Sequence, residues 1–266
     1  MKRTKITEAK VPETLWFHGS QYDSVDELKI NPPSPEKIFF VAKNLDYAKH
    51  YAMKNKNKPK ECSSVYVCSV KENGHGLETY NRFSESGKKT DAEFGKTCVR
   101  FSTYESISYA RNTGDVFDAM IQFCAGYCKP IIESGYDVKK LRNKYVFSEN
   151  QMHLRTLNEM VEELPNFLKK VGLTEKDVLD DDRKWENGCA IREAYCKFWK
   201  KIGLNAFDTF ETQPTGMSDC LGIFDVSALD NIYAISIPYD VIKKTRELKS
   251  DKAVKEFIRD YTVKNS

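Results

Sequence analysis

The chain reads as an α+β protein, a strand-rich core interrupted by a long helical block. Short aromatic or β-branched runs recur near the start, at 15–18, 37–42 and 65–70. They return near the end, at 206–210, 221–225 and 233–237. Between about 104 and 201, apolar residues recur instead at three- and four-residue spacing. No internal repeat is visible, and strands do not alternate with single helices. The order strands, helices, strands therefore points to one domain, 1–266, with core strands in 14–103 and 202–238, a helical insertion at 104–201, and closing helices in 239–266.

Composition bounds the function classes. Of 266 residues, 40% are hydrophobic and 12% aromatic, enough for a sizeable packed core. The net charge is +3, small against 42 basic and 39 acidic residues, which argues against a nucleic-acid partner. No apolar stretch of leader length follows the basic start, and no run is long enough to span a bilayer. The expected location is the cytoplasm. Eight cysteines are scattered without zinc-knuckle spacing, so small buried thiols are expected and no metal site.

In chain order, residues 1–13 read as a flexible or edge segment. Leu15-Trp16-Phe17-His18 is the first strand, and it ends in a polar side chain followed by Gly19 and Ser20. A buried strand that opens into a site has this form. Histidine donates and accepts hydrogen bonds, and glycine lets a ligand approach the main chain. Residues 23–29 suggest a short helical turn or strand, and the prolines at 32, 33 and 35 a stiff loop. A second strand at 37–42 leads to Asn44, a residue suited to cap a helix over 45–53. The basic run 54–60 reads as a solvated loop, and His75, between two glycines, as an exposed turn residue. Residues 79–96 carry no clear pattern, and Val99-Arg100-Phe101 suggests a short strand. In the helical block, Pro130, Pro165 and Asp180-Asp181-Asp182 read as punctuation. Residues 190–202 form an amphipathic helix with Gly203 at its end. The C-terminal part adds strands at 206–210, 221–225 and 233–237, then helices at 239–248 and 252–261.

Five segments, in this order, resemble the ADP-ribosyltransferase superfamily. They are His18-Gly19-Ser20, then Lys37-Ile38-Phe39-Phe40-Val41-Ala42 running into Leu45-Asp46-Tyr47-Ala48-Lys49-His50-Tyr51-Ala52, then Ser64-Val65-Tyr66-Val67-Cys68-Ser69-Val70. The last two are Ile202-Gly203-Leu204-Asn205-Ala206-Phe207-Asp208 and Leu221-Gly222-Ile223-Phe224-Asp225 with the residues to Ile232. The likeness covers about half the chain. It implies a split β-sheet core with a large helical insertion. It also implies an NAD-dependent mono-ADP-ribosyltransferase that uses NAD as a substrate, needs no metal and modifies a protein target. Compact phage- and bacteria-encoded members of this type act as effectors against host or defence machinery, which would put the chain in the host cytoplasm if phage-encoded.

The resemblance also assigns residues. His18 would hydrogen-bond ribose hydroxyls on the adenosine side, Gly19 would present its main chain to the nicotinamide carboxamide, and Ser20 would contact ribose or fix the loop. Phe39 stands where the family has a tyrosine that stacks on nicotinamide, with Phe40 as the alternative one register away. Tyr51 would cover the nicotinamide side or anchor its helix. Asp219 is the acid nearest the family's catalytic position, on the loop entering the strand. It would bind the ribose 2′-hydroxyl and stabilise positive charge. Glu211 and Gln213 are acceptor-orienting candidates. The alternative is an inactive ADP-ribosyltransferase-like binding or inhibitor protein working through the helical insertion. NAD hydrolysis is a third reading. Phosphotransfer from RNA is another, though Arg82, Arg100 and Arg111 form no recognisable phosphate set.

Overall fold

A computed structural model describes residues 15–20, 38–52, 64–81, 83–104, 116–144, 154–213, 216–229, 235–245 and 247–265. The expectations for 1–13, 23–29, the prolines at 32, 33 and 35, and the basic run 54–60 lie outside the described residues. The chain divides into two compact units. One takes its described residues from those up to Thr79 and from Asn205 onward, and the other spans Tyr80–Leu204.

The first unit carries a seven-stranded sheet. Its strands are β1 (Trp16–Ser20), β2 (Phe39–Ala42), β3 (Ser64–Cys68), β4 (Thr79–Tyr80), β5 (Ala206–Gln213), β6 (Gly216–Ile223) and β7 (Ile235–Pro238). Their spatial order is β4-β5-β6-β2-β1-β3-β7. The pairs β5–β6, β6–β2, β2–β1, β1–β3 and β3–β7 are antiparallel. An α+β architecture is thus present, with strands drawn from both ends of the sequence into one sheet.

Alternation along the strands builds two layers. On one face Phe17, Val65, Val67 and Ile237 pack with Leu45, Ala48 and Ala52 of α1 (Leu45–Ala52). Ile242 of α10 (Tyr239–Thr245) and Ile258 of α11 (Asp251–Asn265) complete that layer. On the other face Phe39, Val41, Tyr66, Cys68, Leu221 and Ile223 pack with Leu77, Ala228 and Leu229. Each Val, Leu, Ile or Phe side chain among them, taken fully out of water, contributes about 1.5–3 kcal/mol. Asn44 caps α1 as expected, its Oδ1 accepting from Asp46 N at 2.8 Å and Tyr47 N at 3.3 Å.

Asn205, buried at the start of β5, pins three segments. Its Nδ2 donates to Gly76 O at 2.7 Å and to Ser227 Oγ at 3.3 Å, and its Oδ1 accepts from Glu78 N at 2.8 Å. Gly74 and Gly76 have φ of 77° and 109°, and the turn between them leaves His75 exposed.

The second unit is helical, and it begins earlier than the predicted 104. Ser84 caps α2 (Glu85–Phe94), and Gly95, at φ 92°, separates it from α3 (Lys96–Val99). A π-helical turn, Arg100–Tyr104, follows, so the strand expected at 99–101 is absent. The reason is a tertiary contact. Glu163 Oε2 accepts from Thr97 N at 2.8 Å and Cys98 N at 3.0 Å, capping α3 from another helix. The apolar side chains that follow are then buried at helical spacing.

Next come α4 (Val116–Phe123), a π-helical turn (Cys124–Cys128), α5 (Lys129–Glu133) and α6 (Val138–Lys144). The unit continues with α7 (Leu154–Val171), α8 (Glu175–Leu179) and α9 (Lys184–Lys201). Pro165 does not break α7. The stripe Leu157, Met160, Leu164, Phe167, Leu168 and Val171 is buried on one side, and that packing outweighs the lost main-chain bond. Inside the unit Trp199 Nε1 donates to Thr90 Oγ1 at 3.0 Å, and the Ser102 and Tyr195 hydroxyls share a buried hydrogen bond. Burial pushes the thiols of Cys68 and Cys196 up to about 12, as inert core groups.

Candidate functional site

The motif strands β3, β1, β2 and β6 are consecutive neighbours in the sheet. His18 sits opposite Tyr66, and Phe39 opposite Ile223. Asp219 lies within β6, not on the loop before it, opposite Phe210 of β5. The low β-propensity of Gly216-Met217-Ser218-Asp219 hides this strand, which pairing with β5 draws out. Cross-strand partners share a sheet face, and so do residues two apart. His18, Phe39, Val41, Leu221, Asp208 and Asp219 therefore lie on one face. Phe40 lies on the other, meeting edge to face, with ring centroids 6.0 Å apart, the Phe207 ring that covers Gly222. Of the two register alternatives, Phe39 is the one on the face of His18 and Asp219.

β1 and β2 pair at Phe17↔Ala42 alone, whereas β1 runs beside β3 over all five residues. Past Phe17 the sheet opens between β1 and β2. The His18 ring bridges this opening, Nδ1 donating to Phe40 O at 2.7 Å. The ring stacks on Phe39, centroids 4.2 Å apart at 29°, and lies tilted 6.5 Å from the Tyr66 ring. Desolvation lowers the His18 pKa from 6.5 to about 4, opposed by the bond to the Phe40 carbonyl, so the ring is neutral at pH 7. With the proton on Nδ1, Nε2 is an acceptor.

Gly19 has a structural reason to be glycine. A Cβ there would fall 1.8 Å from Ala48 O and 3.1 Å from Ala52 N, because the main chain of α1 lies directly on it. Ser20 is buried at the end of β1. Phe39 is only 7% exposed and already stacks on His18, so no ring fits between the two. Tyr51 is held on the face that carries α1. Its hydroxyl meets that of Tyr47 at 2.9 Å, and it packs with Ala42, Tyr47 and Cys220. The structure thus brings His18 and Phe39 together, places Asp219 on their face, and separates Phe40 and Tyr51 from them. Glu211 and Gln213 pair with Ser218 and Gly216 at the distal end of the β5–β6 hairpin.

From strand spacing of about 4.8 Å and a rise of about 3.4 Å per residue, His18 and Asp219 stand roughly 12 Å apart at Cα. The Asp219 main chain is fixed to the end of β2. Its carbonyl accepts from Lys43 N at 2.9 Å and from Ser218 Oγ at 2.8 Å. Ser218 Oγ also accepts from Asn44 N at 2.9 Å.

Around Asp219 the structure gathers residues that sequence reasoning missed. The Lys43 ammonium lies 3.5 Å from Asp219 Oδ2 and 5.3 Å from the centroid of the Trp16 ring. Asp208, diagonal to Asp219 across the β5–β6 pair, accepts a hydrogen bond from the Thr79 hydroxyl. Its carboxylate reaches solvent, yet atoms packed along its inner side raise its pKa by desolvation, and the Asp219 charge adds to this. Lys43 and Thr79 act the other way. Asp208 and Asp219 are exposed at alternate positions, between the buried Phe207 and Thr209 and the buried Ser218 and Cys220.

Among the described residues no group of three or more His, Cys, Asp or Glu side chains is arranged to hold a metal ion, and no helix is long and apolar enough to cross a membrane. Searches of protein-family models, curated proteins and solved structures find no match to this chain.

Proposed function

We propose that the chain is an NAD-dependent mono-ADP-ribosyltransferase that modifies a protein target, of the kind encoded by phages or bacteria against host or defence machinery. The observation that carries this reading is the shared face. His18, Phe39 and Asp219 come from three strands adjacent in the sheet, although 180 residues of sequence separate Phe39 from Asp219. Two further observations support it. The β1–β2 pairing ends at Phe17, so the sheet opens beside Gly19 on the β2 side. The neutral His18 ring offers an acceptor nitrogen, suited to a ribose hydroxyl.

In this reading the bond between the ribose anomeric carbon and nicotinamide breaks with its electron pair going to the ring nitrogen. Nicotinamide leaves neutral, so no general acid is needed. Positive charge develops on the ribose, and the Asp219 carboxylate stabilises it. The Phe39 ring supports His18 by stacking and is not itself a nicotinamide platform. The helical unit, with Phe83 82% and Trp185 57% exposed, is the surface for selecting a target.

A second reading rests on the same contacts. His18 is closed onto Phe39, and Asp219 is paired with Lys43. A protein that keeps the sheet for binding alone would show this too. Incubation with labelled NAD and a lysate of the native host separates the two. The transferase reading predicts label on a discrete protein band, lost in His18→Ala and in Asp219→Ala. Free nicotinamide without a labelled band indicates hydrolysis. Neither signal, with capture of a partner, sinks the enzymatic reading.

A further inference from the structure

The sheet has two edges, and they are finished differently. At one, β7 has four residues and ends in Pro238, a common way of blunting an edge. At the other, β4 has only two residues, so no described strand runs along most of the outer side of the eight-residue β5. Glu78 O accepts from Asn205 N at 2.9 Å and from Ala206 N at 3.3 Å, which sets β4 against the start of β5. The far half of β5 is left over.

The register tells which groups face outward there. Asp219 O accepts from Lys43 N, on the β2 side of β6, so Asp219 and its partner Phe210 are a non-hydrogen-bonded pair. Main-chain direction alternates along a strand. Phe210 and Thr212 therefore turn N–H and C=O away from β6, and among the described residues no main-chain group bonds them there. Long edges are normally blunted by lysine, proline or a bulge. Ala206–Gln213 contains no lysine or proline, and its pairing with β6 runs unbroken from Ala206↔Ile223 to Gln213↔Gly216. Phe207, Thr209, Phe210 and Thr212 are residues that favour an extended chain.

We propose that the outer edge of β5 is a docking site for a basic extended segment of a protein partner, added to the sheet as a further strand. Main-chain bonds to Phe210 and Thr212 hold the segment, and its alternate side chains give specificity. Charge selects the occupant. The hairpin Ala206–Ile223 carries Asp208, Glu211 and Asp219 and no lysine, arginine or histidine. A second copy of the chain would bring acid against acid, whereas lysine or arginine at alternate positions of a partner strand complements the hairpin. Docking of this kind needs no NAD chemistry and stands apart from the transferase reading.

The test uses the full chain and a fluorescent peptide of alternating lysine and threonine, followed by anisotropy. Saturable binding is expected, with none for the peptide that has glutamate in place of lysine. Thr212→Pro removes an outward N–H and leaves the bonds between β5 and β6 intact, so it should weaken binding roughly tenfold at an unchanged urea midpoint, whereas Thr212→Val should not. Should Thr212→Pro fail to fold, a peptide methylated on its main-chain nitrogens, offered to the wild-type chain, decides the matter. Loss of binding on methylation supports strand addition, because the charges are unchanged. Binding indifferent to methylation, or no binding by the wild-type chain, overturns it. Self-association of the chain alone that is lost in Thr212→Pro would give the edge to a second copy and overturn the assignment of a basic partner.

Discussion

His18 shows how one side chain can tie a strand and a site together. Its ring replaces the ladder where β1 and β2 part, and burial keeps it neutral. That carries a stability cost at low pH with a definite sign. The unfolded imidazole titrates near 6.5 and the folded one near 4. Between those values the unfolded chain binds a proton that the native ring refuses. The ring's contribution is therefore whole above pH 6.5 and is lost as pH falls toward 4, by roughly 3 kcal/mol. Urea midpoints measured across this range should fall more steeply for the wild-type chain than for His18→Gln. Equal slopes would mean that the ring is not buried as described. The sequence marks His18 as a site residue, but not its contact with Phe39. That contact depends on β2 lying beside β1, a pairing between segments twenty residues apart. Lys43 and Asp208 escaped notice for a related reason, since each is an ordinary charged residue until the register of three strands brings it to Asp219.

At the scale of elements, the close contact is β1 against α1. Gly19 lets the helix main chain rest on the strand, which is a packing requirement independent of any ligand. Gly19→Ala puts a methyl group against the Ala48 carbonyl, and neither strand nor helix main chain can yield cheaply. The expected loss is about 1–3 kcal/mol, read as a lower denaturation midpoint. Unchanged stability would mean that α1 does not lie on β1 at this distance. Strand and helix existence was legible along much of the chain, because aromatic runs and helical spacing are strong local signals. The failures share a cause. Val99-Arg100-Phe101 has strand composition, and Pro165 has the mark of a helix breaker, but tertiary contacts override both. Glu163 caps α3 from outside it, and a buried stripe holds α7 together through its proline. The strand β6 was found only in its apolar second half, since its first half has no propensity of its own.

At the scale of the whole chain, an α+β organisation was legible, and so was a helical block between two sets of strands. The point where that block begins was not. The segment from Glu85 carries few large apolar residues, so its helices show little periodicity, and they are recognised only by the cap at Ser84 and the break at Gly95. The sheet unit holds every residue proposed for chemistry, drawn from both ends of the sequence. The central claim is that the opening between β1 and β2, with His18 across it, is an NAD site. Calorimetric titration of the full chain with NAD tests this most directly. The account predicts saturable binding that His18→Ala weakens at least tenfold and that Tyr51→Phe, on the opposite face, leaves unchanged. Absent binding, or binding indifferent to His18→Ala, would contradict it.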